Sequence, residues 1–406
     1  MVTVLILKSL SKSFNIRYPK LHTLTIRYGL IEYEELEPET DPATLISLNP
    51  SIKTLELDMA NGMVYSDILQ SVSKLPNLEK LVLYHPQFHV KENAEIFWRA
   101  CRNLRKLRII DPNFDTSWQI PDDLTQFEIR VLGIASGMDA LSQLKLISRC
   151  PRLERLSWIT YMDHGTATQF AQQIAASKLP NLSRLRLDMI LGDEEVGMIL
   201  DGMKSATKLD LSFATFGPRV RLAIKRHFDS LAVLSLHSRH EIPSTLFRDV
   251  LCLCPRLESL HGSVIQAKDI VTGGQWACLS LKILQIRIEF DVSEHDDGDI
   301  HALIFSQLSR LIKLQALHVG DKPSSRDYKQ RGLYFYLEYG LGQLSNLKML
   351  KQLSFIGTIQ FLEKEDVEWI ITNLTGLTSI SGCLHQSTEK ANKLRKLLRA
   401  KNIGGF

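Results

Sequence analysis

Cysteine is scarce in this chain. There are six in 406 residues: Cys101, Cys150, Cys252, Cys254, Cys278 and Cys383. They do not gather at the two ends, as disulfide-closed caps would require, so the spacing points to a reducing compartment, cytoplasmic or nuclear. The tight Cys252-Leu-Cys254 pair has no second cysteine pair to complete a zinc site. Long apolar runs are missing too. None approaches the roughly 18 residues of a membrane span. The opening MVTVLILKSL is apolar too briefly for a signal peptide and has no basic leader. Charge of one sign is also lacking. Lys and Arg number 49 against 45 Asp and Glu, and a net +4 does not by itself point to nucleic acid. Catalytic signatures are absent as well: no G-x-S-x-G, no H-E-x-x-H and no phosphate-binding P-loop. What is present is 44% hydrophobic and 23% charged, an ordinary globular composition able to bury a core.

One phrase recurs through that composition. SKLPNLEKLVL (Ser73 to Leu83) returns as SKLPNLSRLRL (Ser177 to Leu187). The underlying spacing is L-x-x-L-x-L. It runs through Leu21, Leu24, Ile26; Ile52, Leu55, Leu57; Leu78, Leu81, Leu83; Leu104, Leu107, Ile109; and Leu124, Phe127, Ile129. It continues through Leu153, Leu156, Trp158; Leu182, Leu185, Leu187; Ala206, Leu209, Leu211; Leu231, Leu234, Leu236; and Leu257, Leu260, Gly262. The last are Leu281, Leu284, Ile286; Leu314, Leu317, Val319; Leu350, Leu353, Phe355; and Leu377, Ile380, Gly382. Val2, Leu5 and Leu7 fit as a fragment. The intervals range from about 20 to 36 residues, which is the period of leucine-rich repeats.

The last two apolar residues of each phrase are two apart, so both face the same side of a short strand. No repeat buries that side alone, and stacking makes one continuous core. Helical spacing precedes the strands: Phe97, Cys101 and Leu104 in AEIFWRACRNL, and Phe170, Ile174 and Ser177 in ATQFAQQIAASKL. Pro19, Pro50, Pro76, Pro151, Pro180 and Pro255 stand two residues before the first apolar position, where proline ends a helix and feeds a strand. Cys101, Cys150, Cys254 and Cys278 stand three before it, which predicts one shared buried slot. The fold class is therefore α/β: a leucine-rich-repeat horseshoe with parallel strands on the concave face and helices on the convex face. Residues 1–386 carry about 14 repeats plus an N-terminal partial repeat. Residues 387–406 contain STEKANKLRKLLRAKNIGGF, in which Ser387 suits a helix cap and Leu394, Leu397 and Leu398 form one apolar stripe, and they are expected to close the end.

CPRLERL, PNLEKLVL and above all FWRACRNLRKLRI resemble the repeats of F-box/LRR proteins, the large fungal sets in particular. That resemblance covers essentially the whole chain. It implies a substrate-recognition region for an SCF-type ubiquitin ligase, with the ligase adaptor as a partner only if an F-box lies upstream. No F-box is recognised among these residues. The alternative is a stand-alone repeat scaffold or inhibitor unrelated to ubiquitin. Either way the chain is expected to bind a protein without catalysis, cofactor or metal.

Two acidic insertions interrupt the repeats, EYEELEPETD (Glu32 to Asp41) and EFDVSEHDDGDIH (Glu289 to His301). Asp291, His295, Asp297, Asp299 and His301 have cation-ligand chemistry, but their spacing is not that of an EF-hand and a solvated loop is the simpler reading. The outward strand positions carry the more informative pattern. Lys80, Lys106, Arg108, Arg130, Arg155, Arg184, Arg186 and Lys208 fall on them, diluted by Glu128, Asp188 and Asp210. Strands lie about 4.8 Å apart, so these cations predict a basic stripe for an acidic or phosphorylated protein partner. Few aromatics interleave with it (Tyr84 is one), which argues against nucleic acid, and nothing points to a membrane.

Overall fold

The computed structural model describes residues 2–6, 17–27, 42–58, 66–88, 90–110, 113–114, 119–135, 140–159, 164–176, 179–188, 191–212, 215–237, 242–290, 298–320 and 332–405. The chain forms two compact units, Met1–Leu191 with Met198–Lys204, and Gly192–Gly197 with Ser205–Phe406. The first contains β1 (Val2–Ile6), β2 (Thr23–Arg27), α1 (Pro42–Leu48), β3 (Thr54–Asp58), α2 (Ser66–Ser73), β4 (Lys80–Tyr84) and β5 (Gln87–Phe88). It continues with α3 (Lys91–Cys101), β6 (Lys106–Ile110), β7 (Asn113–Phe114), β8 (Val131–Ala135), α4 (Ala140–Ser148), β9 (Arg155–Ile159), α5 (His164–Ala175) and β10 (Arg184–Asp188). After α6 (Asp193–Gly202), the second unit runs β11 (Lys208–Ser212), α7 (Pro218–Lys225), β12 (Val233–His237), α8 (Ser244–Leu253) and β13 (Ser259–Gln266). Then come α9 (Ala267–Val271), β14 (Ile283–Glu289), α10 (Gly298–Ser309), β15 (Ala316–His318) and a 3-10 turn at Leu341–Asn346. β16 (Gln352–Ile359), α11 (Lys364–Asn373), β17 (Ser379–Cys383) and α12 (Thr388–Arg399) follow.

All of these strands pair in parallel. In the first unit β1, β2, β3, β4, β6, β8, β9 and β10 are successive neighbours, and in the second β11 to β17 are. β5 and β7 make a separate small ladder. A repeated backbone contact holds the register. One carbonyl at each strand entrance accepts two N–H groups of the next repeat: Lys53 O from Glu79 and Lys80, and Glu79 O from Arg105 and Lys106. Thr207 O does so for Ala232 and Val233 in the second unit. Since a one-residue slip would turn every leucine outward, this contact and the apolar alternation specify the same pairing.

The leucine pairs are buried. Leu81 and Leu83 are each 1% exposed, and Leu209 and Leu211 are 0%. Helix faces at i, i+3, i+4 and i+7 close over them, as Ala94, Phe97, Trp98 and Cys101 do on α3. This is an α/β leucine-rich-repeat solenoid. At Gly262 and Gly382, which stand where the phrase wants a third apolar side chain, an aromatic ring fills the space. A Cβ on Gly262 would strike Phe247, and one on Gly382, whose φ is +125°, would strike Phe355.

Thirteen of the fourteen phrases carry a strand at their second apolar position, and the fifth does not. Leu124, Phe127 and Ile129 are buried, but the strand is Val131–Ala135, with Leu132 and Ile134 as its inward pair. The phrase is therefore Ile129, Leu132, Ile134, which replaces an interval of about 20 residues by about 25, in line with its neighbours. Among the described residues no helix lies between β6 and β8. Leu124 and Phe127 occupy that level of the core instead, with Phe127 set edge-on to Trp98 at 6.2 Å. The opening fragment is also displaced. Thr3 and Leu5 pair with Leu24 and Ile26, two residues earlier than the Leu5 and Leu7 expected from spacing.

Polar side chains tie neighbouring repeats together. Asp193 accepts from the backbone N–H groups of Gly217 (2.8 Å), Arg219 (3.0 Å) and Val220 (2.9 Å), satisfying donors that the start of α7 leaves open. Buried Gln360 accepts from Phe335 N and donates to Leu333 O. At the far end α12 is capped by Ser387 and buries Ala391, Leu394 and Leu398 beside α11. Gly404 then bridges to β17, donating to Thr378 O and accepting from Ile380 N.

Candidate functional site

Alternation along each strand puts the residues between the leucines on the open face. In the first unit the register lines up Thr54, Lys80, Lys106, Val131, Arg155 and Arg184 as one row. The next row is Glu56, Val82, Arg108, Gly133, Ser157 and Arg186. Lys106, Arg108, Arg155, Arg184 and Arg186 are exposed. Lys80 is bound to Glu56 at 2.8 Å, and Arg186 lies 3.6 Å from Asp188. Lys106, Arg108, Arg155 and Arg184 form no ion pair among the described residues.

Arg130 is not part of either row, contrary to the expectation from spacing. The corrected phrase places it at the entrance of β8, where its carbonyl accepts from Glu154 (2.8 Å) and Arg155 (3.0 Å). Its guanidinium reaches Glu154 at 3.5 Å. Val131 takes the position in the row, and Glu128 pairs with Arg152 outside it. Lys208 is exposed at the head of β11 and belongs to the second unit, where the equivalent positions continue through Val233, Ser259, Ile283, Ala316, Gln352 and Ser379 without another cation.

The second unit instead presents a polar ladder that the spacing of the phrases did not single out. Ser259 Oγ lies 2.8 Å from His261 Nε2, and His261 Nδ1 lies 3.0 Å from Gln285 Oε1. The sequence of contacts is that of nucleophile, base and orienting group. Gln285 is uncharged, however, and offers no anion to stabilise an imidazolium. Burial, then the nearby His261, holds His318, in register with Gln285 on β15, below the usual imidazole range.

The remaining candidates resolve as follows. EYEELEPETD and Asp291, His295 and Asp297 lie outside the described residues. His301 is 1% exposed on α10, stacked on Phe290 at 4.2 Å and near Tyr334 and Tyr339, so it belongs to an aromatic core. Cys101, Cys150, Cys254 and Cys278 are each 0% exposed, which gives the shared cysteine slot a packing role. Burial pushes the Cys150 and Cys278 thiols up to about 12, and raises Cys101 and Cys254 as well. A thiol held protonated is a poor nucleophile. In the folded chain at pH 8, alkylation is expected at Cys383 and, more slowly, at half-buried Cys252. Burial also raises the Cys252 thiol, whose Sγ donates to Gly274 O. The other four should react only after unfolding. Peptide mass mapping checks this, and labelling of Cys101 or Cys254 in the native state would contradict the packing described.

No family model and no curated protein matches the chain. Among solved structures it is similar to an internalin from Listeria monocytogenes str. 4b F2365, at 16% identity over 90% of this chain and 88% of that one, with a TM-score of 0.46. The assignment to a leucine-rich-repeat fold rests on this chain's own parallel ladder and its phrase register.

Proposed function

We propose that this chain is a binding scaffold that holds a protein partner through acidic or phosphorylated groups laid across the cationic rows of the first unit. The observation that carries this reading is the set Lys106, Arg108, Arg155 and Arg184, exposed, in register and without a carboxylate partner among the described residues. Lys80 and Lys282, by contrast, are neutralised by cross-repeat carboxylates, Glu56 and Glu258. Like charges in adjacent registers repel, and an anionic ligand removes that repulsion while gaining charge-assisted hydrogen bonds. The buried, protonated thiols and a Ser259–His261–Gln285 ladder that ends on an amide and not a carboxylate favour binding over chemistry.

A narrower reading comes from the resemblance of CPRLERL and FWRACRNLRKLRI to F-box/LRR repeats. In it the partner is a substrate presented to a ubiquitin ligase. The stand-alone scaffold is the alternative. Affinity capture with the full chain tests both. Partners held by the rows should be acidic and should elute as salt rises from about 0.1 M to 1 M, where the screening length falls from about 10 Å to 3 Å. Partners that stay bound at 1 M salt would point to an apolar surface instead. A captured partner that is itself a ubiquitination substrate of an SCF-type ligase would support the narrower role.

A further inference from the structure

Gly133 is the one residue without a side chain in the second row of the first unit, between Arg108 on β6 and Ser157 on β9. A Cβ added there would lie 3.1 Å from Arg108 Cγ and 3.7 Å from Arg108 Cδ. The stem of Arg108 therefore lies against the bare backbone of β8. The same strand puts Val131, uncharged, between Lys106 and Arg155. Gly133, Val131 and Ser157 thus form a short uncharged stretch of the open face. Lys106 and Arg108 stand on one side, and Arg155, with Arg184 beside it, on the other.

We propose that Lys106, Arg108, Arg155 and Arg184, grouped around Gly133, form a subsite for one phosphorylated side chain of the protein partner. This deepens the reading above and rests on it. A carboxylate carries one charge and is satisfied by a single guanidinium fork. A phosphate monoester carries about −1.5 to −2 charges at pH 7 and three acceptor oxygens. Four cations from three strands, lacking carboxylates among the described residues, match the phosphate. The Ser157 side chain, in register with Gly133, adds a neutral donor between the cations. Gly133 sets the specificity: with no side chain on β8, Arg108 crosses toward the arginines of β9 and β10.

The test uses the full chain and three immobilised degenerate peptide pools that differ at one fixed central position: phosphoserine, glutamate or serine. The wild type should retain the phosphoserine pool about tenfold more strongly than the glutamate pool, the equivalent of one additional charged contact. Lowering the pH through about 6, where the phosphate gains its second proton, should erase that preference and leave glutamate retention in place. Gly133→Val keeps every charge, and the three atoms nearest its Cβ all belong to the flexible Arg108 stem, so the strand is expected to hold. An unchanged melting curve verifies that. This variant should bring phosphoserine and glutamate retention to parity. Equal retention of the two pools by the wild type, or an undiminished preference in Gly133→Val, overturns the subsite while leaving an acidic-partner face intact. Failure to retain either pool overturns both. Displacement of the phosphoserine pool by inorganic phosphate at matching concentration would assign the four cations to free phosphate and overturn the peptide-borne ligand.

Discussion

Replacing Trp158 by alanine is expected to destabilise the first unit by about 3–5 kcal/mol, while Ser157→Ala, one residue earlier, changes stability by less than about 0.5 kcal/mol. Trp158 occupies the third apolar position of its phrase and is 0% exposed. Its ring meets Phe170 of α5 edge-on at 4.2 Å, and its Nε1–H donates to buried Gln143 of α4. Alanine removes the whole indole from between two helices and a strand, and takes away a donor from Gln143 in the same step. The open space and the lost hydrogen bond add in the same direction. Ser157 faces the other side of the same strand, half-exposed on the open face. Repeat stability is roughly a sum of nearest-neighbour terms, so the damage should begin in β8 to β10. Hydrogen exchange should show those amides opening first, and urea titration should show a lower midpoint for Trp158→Ala. Equal midpoints for the two variants would mean that the assignment of inner and outer faces on β9 is wrong.

Most of this ladder was readable from spacing because an L-x-x-L-x-L phrase admits one strand register once its leucines must share a core. The exception shows what spacing leaves out. Leu124, Phe127 and Ile129 satisfy the phrase and are all buried, yet only Ile129 belongs to it. Apolar spacing reports burial but not the layer, and here two of the three side chains fill the level of a helix. That error moved Arg130 onto the stripe and hid Gly133, whose meaning depends on standing in register with Arg108 and Ser157. The Lys80–Glu56 pair was hidden for a related reason. The two residues are on adjacent strands and diagonal to one another, a relation visible only once the register is known. Likewise Ser259, His261 and Gln285 are unremarkable in sequence and become a hydrogen-bonded chain only across β13 and β14.

Reversing Arg155 and Arg184 together to glutamate should weaken binding of the captured acidic partner by about 100-fold or more, whereas Arg130→Glu should change it less than about threefold. Each hydrogen bond from a charged donor contributes about 1.5–3 kcal/mol, and every 1.4 kcal/mol is tenfold in affinity. Arg155 and Arg184 face each other across β9 and β10 in direct register. Two glutamates there repeat the like-charge contact with the opposite sign, so the cost to the fold is little changed while the ligand now meets repulsion. Arg130 carries the same charge but stands at the strand entrance and is engaged with Glu154 at 3.5 Å. The comparison therefore separates a row set by strand register from a diffuse positive field, since a field would register all three arginines alike. Isothermal titration at about 0.1 M salt measures the difference. At about 1 M salt the wild type should approach the double variant, because screening removes the attraction that the substitutions reverse. A loss for Arg130→Glu about half that of the double variant in free energy would favour the field, and full binding by the double variant would move the partner to the polar ladder of the second unit.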